Sequence, residues 1–219
     1  MKLISTNIFS ENEKIYTLSN SSKSIYGEKV IEIDNKFYRE WNPFRSKISA
    51  ALMRKLKTLN IKEDSKVLYL GCASGTTVSH ISDIVKNGII FALDLSRKEV
   101  SLLYLKLKKR NNIAPIWANA NNPDKYSENI SNLKMDFIIQ DIASPNQISI
   151  LIKNANKYLN KKGEVYLSLK TKSISQKEEP IKILENAKEE LKQHFTIIKS
   201  VNLRKYEDNH WLLHLRKDF

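Results

Sequence analysis

The chain has 219 residues, 41% hydrophobic and 28% charged, which is apolar material enough for one full domain or a domain with a small appendage. Its formal charge of +13 favours a polyanionic partner, because each Lys or Arg that displaces a counterion from a phosphate gains release entropy. A single cysteine excludes an internal disulfide and fits a reducing compartment, and no apolar run is long enough for a leader or a membrane span, so a cytoplasmic protein is expected.

Residues 1–42 alternate short apolar and polar runs ("NIFSENEKIYTLS", "SIYGEKVIEIDNKFYREW") with Asn, Ser and Gly between them, which predicts a small antiparallel β region built from hairpins. Residues 43–219 form a second unit. "NPFRSKISAALMRKLKTLN" places Ile48, Ala51, Leu52, Leu56 and Leu59 near helical spacing, and Asn42-Pro43 suits a helix entry. From Ser65 the pattern alternates. Strands are expected in "KVLYL", "GIIFALDLS", "IAPIWANA", "MDFIIQDI" and "GEVYLSLKT". Helices are expected in "TVSHISDIV", "RKEVSLLYLKLKKRNN", "NQISILIKNANKYLNKK" and "EEPIKILENAKEELKQH". Two last runs, "FTIIKSVNL" and "HWLLHLRK", joined without a helix, predict an antiparallel hairpin at one sheet edge. The fold expected is α/β: a seven-stranded, mostly parallel Rossmann-like sheet beside the N-terminal β region.

In open α/β sheets the ligand sits beyond the carboxyl ends of the strands. "GCASGTT" follows the first strand of the repeat, where Gly71 and Gly75 allow close backbone approach and a helix N-terminus follows. Asp94 ends the next strand, placed to accept from ribose hydroxyls. Together they point to an adenosine-containing cofactor without separating a dinucleotide from S-adenosylmethionine. The missing three-glycine spacing and the terminal hairpin favour S-adenosylmethionine over a dehydrogenase. Cys72 has no His–Asp pair beside it in the pattern and is read as a small spacer. His210 and His214 are the single paired-ligand spacing, too few for a metal centre. Trp41, Trp117 and Trp211 are candidate base-stacking groups, more simply core, and the run Lys106 to Arg110 suits a helix C-terminus as well as RNA.

"EWNPFRSK", "LGCASGTTVSHISDI", "ANANNP", "DIASPNQ", "LKTKSI" and "DNHWLLHL" occur in the order seen in fibrillarins, and from about Trp41 onward the chain resembles the archaeal members of that family. The resemblance implies an S-adenosylmethionine-dependent 2′-O-methyltransferase of rRNA and tRNA, the catalytic subunit of a box C/D guide-RNA particle. It also implies its partners: guide and target RNA, a coiled-coil scaffold protein and, indirectly, a kink-turn-binding protein. Matched motif by motif, it implies a catalytic set of Lys47, Asp141, Lys170 and His210. Lys170 would contact the target oxygen, with Asp141 setting its orientation and charge. Cofactor contacts fall on Ala73, Gly75, Thr76, Thr77, Asp94, Asn119, Ala120, Asp141 and Gln147. Three positions depart from the family pattern: Cys72 replaces a usual Ala, Asn119 a usual Asp, and Asp94 a frequent Glu. Rival readings are a stand-alone RNA methyltransferase and a catalytically silent scaffold subunit.

Overall fold

The structure, a computed structural model, describes residues 1–131 and 133–218. The N-terminal strands β1 (Lys2–Ser5), β2 (Ile8–Glu11), β3 (Lys14–Ser19), β4 (Val30–Ile33) and β5 (Lys36–Glu40) form one antiparallel sheet in the order β1-β2-β3-β5-β4. Two of its hairpins turn through two residues with positive φ, Asn12-Glu13 (48° and 58°) and Asp34-Asn35 (50° and 59°). That backbone matches the twist of paired strands, and Asn and Asp tolerate it best among residues with a side chain.

A second sheet has seven strands: β6 (Lys66–Leu70), β7 (Ile89–Asp94), β8 (Ile113–Trp117), β9 (Met135–Gln140), β10 (Leu159–Lys170), β11 (Thr196–Asn202) and β12 (His210–Arg216). Their order is β11-β12-β10-β9-β6-β7-β8, with β6 to β10 parallel and β12 antiparallel to both neighbours. The predicted terminal hairpin thus lies at the edge. At the other edge β8 carries Pro115, a residue that cannot serve a central ladder. Helices α1 (Lys47–Arg54), α2 (Thr76–Ile84), α3 (Arg97–Leu107), α4 (Gln147–Tyr158), α5 (Thr171–Ile174) and α6 (Pro180–Lys192) accompany it.

Both faces of the large sheet are buried, which is why its central strands read as unbroken apolar runs. On one face Val67, Tyr69, Ile139 and Tyr166 pack with α1, α2 and the N-terminal sheet through Ile8, Ile15 and Trp41. On the other, Leu68, Leu70, Ile138 and Leu167 pack with α4 and α6 through Leu151, Leu184 and Leu191. The N-terminal sheet also joins α2 through a buried polar network. Fully buried Arg39 reaches Glu28 (2.8 Å), Asp83 (2.7 Å) and the Ser79 hydroxyl (2.9 Å). Thr17 Oγ1 donates its one proton to Asp83 (2.8 Å), so at His80 Nδ1, also 2.8 Å away, it must accept. Burial holds His80 well below the ordinary histidine range, and it stays neutral, stacked on Trp41.

Three helices end before the spans expected of them: α1, α4 and α3, which stops at Leu107 rather than Asn112. The first ends at Arg54, yet Leu56 and Leu59 remain buried because the irregular chain beyond it is held from outside. The Ser5 hydroxyl donates to Leu59 O, and Asn60 N donates to the Tyr166 hydroxyl at 3.0 Å. The helix expected to reach Lys162 ends at Tyr158, where the chain passes straight into β10 and Lys162 takes a φ of 65°. "NNPDKYSENI" forms two 3-10 turns, Pro123–Tyr126 and Glu128–Ile130, that bury Tyr126 and Ile130.

Candidate active site

Chain order reverses between β6 and β9, and the residues just beyond those strands meet there. Asp141 N donates to Leu70 O at 2.9 Å, and a Cβ on Gly71 (φ 79°) would lie 2.6 Å from Asp141 O, so only glycine lets the two strand ends close up. The loop from Gly71 to Gly75 then turns through a left-handed Ala73 (φ 44°) and a left-handed Gly75 (φ 92°), which starts α2. Asp94 braces it: Oδ2 accepts from Ala73 N at 2.8 Å and Oδ1 from Ser96 N at 2.9 Å. No side chain caps α2, so its first-turn N–H groups and the positive end of its dipole face the loop, as a carboxylate ligand requires.

The expected cofactor residues divide by what the fold leaves available. Ala73 and Asn119 are exposed, and Thr76 and Asp94 are partly open. Asn119 Oδ1 already accepts from Asn121 N at 2.9 Å. Gly75 is buried, and a Cβ there would meet Leu103 and the Tyr26 hydroxyl, each at 2.9 Å, rather than open space. The Thr77 hydroxyl is buried and donates to Ser46 Oγ at 3.1 Å, while Ala120 lines the core. Gln147 lies beneath the site: its amide donates to Ser144 O and Lys170 O and accepts from Lys170 N, each at 3.0 Å. It fixes the end of β10 and has no donor left for a ligand. Cys72 is buried, and burial pushes its thiol well above the ordinary range, which leaves it inert. Loop backbone, uncapped helix start and Asp94 carboxylate suit an adenosine cofactor carrying an amino-acid tail.

All four residues expected to be catalytic converge. Ser46 caps α1 and starts it at Lys47. Asp141 follows β9, Lys170 ends β10, and the antiparallel register sets Lys170 directly opposite His210, the first residue of β12. Lys170 Nζ lies 2.9 Å from Asp141 Oδ1, but at an angle outside hydrogen-bond geometry, so that buried oxygen holds charge without a formed hydrogen bond. Lys47 Nζ lies 3.9 Å from Asp141 Oδ2 and 3.0 Å from Glu207 Oε1. Burial works against the Lys47 ammonium, yet Asp141 and Glu207 outweigh it and raise its pKa above the lysine norm. His210 Nδ1 is 2.7 Å from Asp208 O and 4.0 Å from Glu207 Oε2. A carbonyl only accepts, so Nδ1 carries the hydrogen and Nε2 presents a lone pair.

Glu207 was not among the sequence candidates. Its signal was its place three residues before His210 in "YEDNH", but in a non-helical turn that spacing does not fix a shared direction. His214 goes elsewhere: it stacks on Tyr166 and its Nε2 lies 2.8 Å from Glu164. Trp41 and Trp211 are core, whereas Trp117 is 60% exposed with the Arg97 guanidinium 5.3 Å from its ring.

Comparison with known proteins covers nearly the whole chain. The fibrillarin family profile matches residues 4–218. The fibrillarin-like rRNA/tRNA 2′-O-methyltransferase of Archaeoglobus fulgidus is 42% identical over 214 residues, 98% of each chain. Among solved structures, the fibrillarin of a fibrillarin/Nop5p complex superposes with a TM-score of 0.91 at 40% identity, covering 99% of this chain and 100% of that one. Aeropyrum pernix fibrillarin with natively bound S-adenosyl-L-methionine gives 0.84 at 32%, covering 92% and 88%. The sheet order and the identity to these relatives over nearly the whole chain go together, and the chain belongs to the fibrillarin family.

Proposed function

We propose that this protein is an S-adenosylmethionine-dependent 2′-O-methyltransferase of rRNA and tRNA. The observation that supports it most is two lysines on one carboxylate, with Lys170 paired across the strands to His210. A ribose hydroxyl is a weak acid and becomes a nucleophile only as its proton leaves and its negative charge is met. When bound, S-adenosylmethionine supplies a methyl group on a sulfonium, so no covalent enzyme intermediate is needed. The ammonium of Lys170 stabilises the charge developing on the 2′-oxygen, Asp141 orients that ammonium, and Lys47 adds a second cation. His210, its Nδ1 held on the Asp208 carbonyl, accepts the hydroxyl proton at Nε2.

The relative crystallised with Nop5p supports a scaffold-protein partner. Beyond that, we infer assembly with a coiled-coil scaffold, a kink-turn-binding protein and a box C/D guide RNA. The guide selects the target by pairing, so the enzyme reads ribose and backbone alone, as its net positive charge suits. Among the described residues no helix is long and apolar enough to cross a membrane. The test is reconstitution with scaffold, kink-turn-binding protein and a guide, scoring methyl transfer at the one ribose the guide designates. Methylation at that ribose, lost when the guide is omitted, is expected. Equal activity on a short RNA without partners would replace this reading by a stand-alone enzyme, and no transfer in either assay would leave a scaffold subunit.

A further inference from the structure

The cofactor loop is held from outside the large sheet by a residue of the N-terminal region. Tyr26 lies in the connection between β3 and β4, and its hydroxyl donates to Ser74 O, at the apex of the loop, at 2.6 Å. The loop has two further fixed points on either side: Ala73 N on Asp94 Oδ2 at 2.8 Å, and Gly75 N on Cys72 O at 3.0 Å. Gly75 makes room for the contact, because a Cβ at that position would lie 2.9 Å from the Tyr26 hydroxyl.

Tyr26 is itself held on every side. Glu28 accepts from Ile25 N at 3.0 Å and Tyr26 N at 2.7 Å, closing the turn beneath it. Glu28 is in turn paired with Arg39, which is bonded to Ser79 and Asp83 of α2, the helix the loop begins. Arg45 donates to Tyr26 O at 2.7 Å, and Lys106 Nζ stands 4.4 Å from the centre of the Tyr26 ring. So many fixed contacts make the hydroxyl a rigid donor rather than a passing one.

We propose that Tyr26 is a positioning residue for cofactor binding, setting the conformation of the Gly71–Gly75 loop through Ser74 O, so that the N-terminal sheet is a working part of the cofactor site. This rests on the reading that the loop holds S-adenosylmethionine. Tyr26 touches the loop backbone, so it governs affinity and leaves the chemical step alone.

The test compares wild type and Tyr26→Phe in calorimetric titration with S-adenosylmethionine, in steady-state methylation by the reconstituted particle, and in amide exchange of the cofactor-free chain. In Tyr26→Phe the affinity for S-adenosylmethionine should fall about three- to tenfold, the effect of one lost hydrogen bond. KM for the cofactor should rise in parallel at unchanged kcat, and the Ala73 and Gly75 amides should exchange faster. Wild-type affinity and unchanged loop exchange in Tyr26→Phe would overturn the proposal, as would a fall in kcat without a rise in KM. If Tyr26→Phe fails to fold, slow exchange of the Gly75 amide in wild type supports the clamp and rapid exchange overturns it. If wild type itself binds no S-adenosylmethionine, the cofactor reading fails, and loop exchange still decides whether Tyr26 sets the loop.

Discussion

Replacing Lys170 by alanine tests the reaction most directly, because it removes one cation without touching the cofactor loop. Lys170 Nζ is 2.9 Å from Asp141 Oδ1, and both side chains are less than a fifth exposed. A unit charge about 3 Å from a developing alkoxide gains roughly 5 kcal/mol at an effective dielectric near 20. Asp141 and Lys47 already compensate part of that field. The loss should therefore resemble that of a single oxyanion donor, about 100- to 1000-fold in kcat. Asp141 is left with Lys47 alone at 3.9 Å, so a moderate fall in Tm is expected too. The assay is single-turnover methyl transfer in the reconstituted particle, beside calorimetric binding of S-adenosylmethionine. Binding should be unchanged while transfer collapses, and Lys170→Arg, which keeps charge but not geometry, should fall between the two. A Lys170→Ala rate within about tenfold of wild type would refute electrostatic stabilisation at this position.

Two more outcomes follow from the charges around the site. Glu207→Gln removes one of the two carboxylates that keep Lys47 charged against its burial, so the alkaline limb of the kcat–pH profile should move to lower pH; an unmoved limb would separate Glu207 from the reaction. In wild type the raised Lys47 contributes stability in full below pH 10.5 and loses it only as pH climbs beyond that value. Glu28 behaves oppositely. Burial opposes its charge, but the Ile25 and Tyr26 N–H groups and Arg39 prevail and bring its pKa from 4.5 to about 2. Its contribution, at most about 3 kcal/mol, is present above pH 4.5 and lost as pH falls toward 2. Acid unfolding followed by circular dichroism should show Glu28→Gln less stable at neutral pH, with the gap closing near pH 2; a constant gap would contradict this.

Alternating apolar runs and helical periodicities gave the sheet its strands and its terminal hairpin from sequence alone, because both faces of the central strands must be buried. The loop after "KVLYL" and Asp94 in "FALDLS" were legible as strand ends for the same reason, strand ends being where an α/β sheet places its ligand. Lys47, Asp141, Lys170 and His210 span more than 160 positions of sequence, and family motifs alone nominated them together. Their meeting is a product of strand order: β6 beside β9, and β12 folded back so that His210 faces Lys170. The tertiary structure alone ended α1 at Arg54, since hydrogen bonds to Ser5 and Tyr166, one accepted by Leu59 O and one donated by Asn60 N, hold chain whose apolar spacing would suit another turn. It also committed the Gln147 amide and the Thr77 hydroxyl to internal hydrogen bonds, and it brought Glu207 onto Lys47 and Tyr26 onto Ser74. Local pattern fixes which residues are buried and where strands end; which polar atoms meet across a non-local gap depends on packing of the whole chain, and no sequence spacing encodes it.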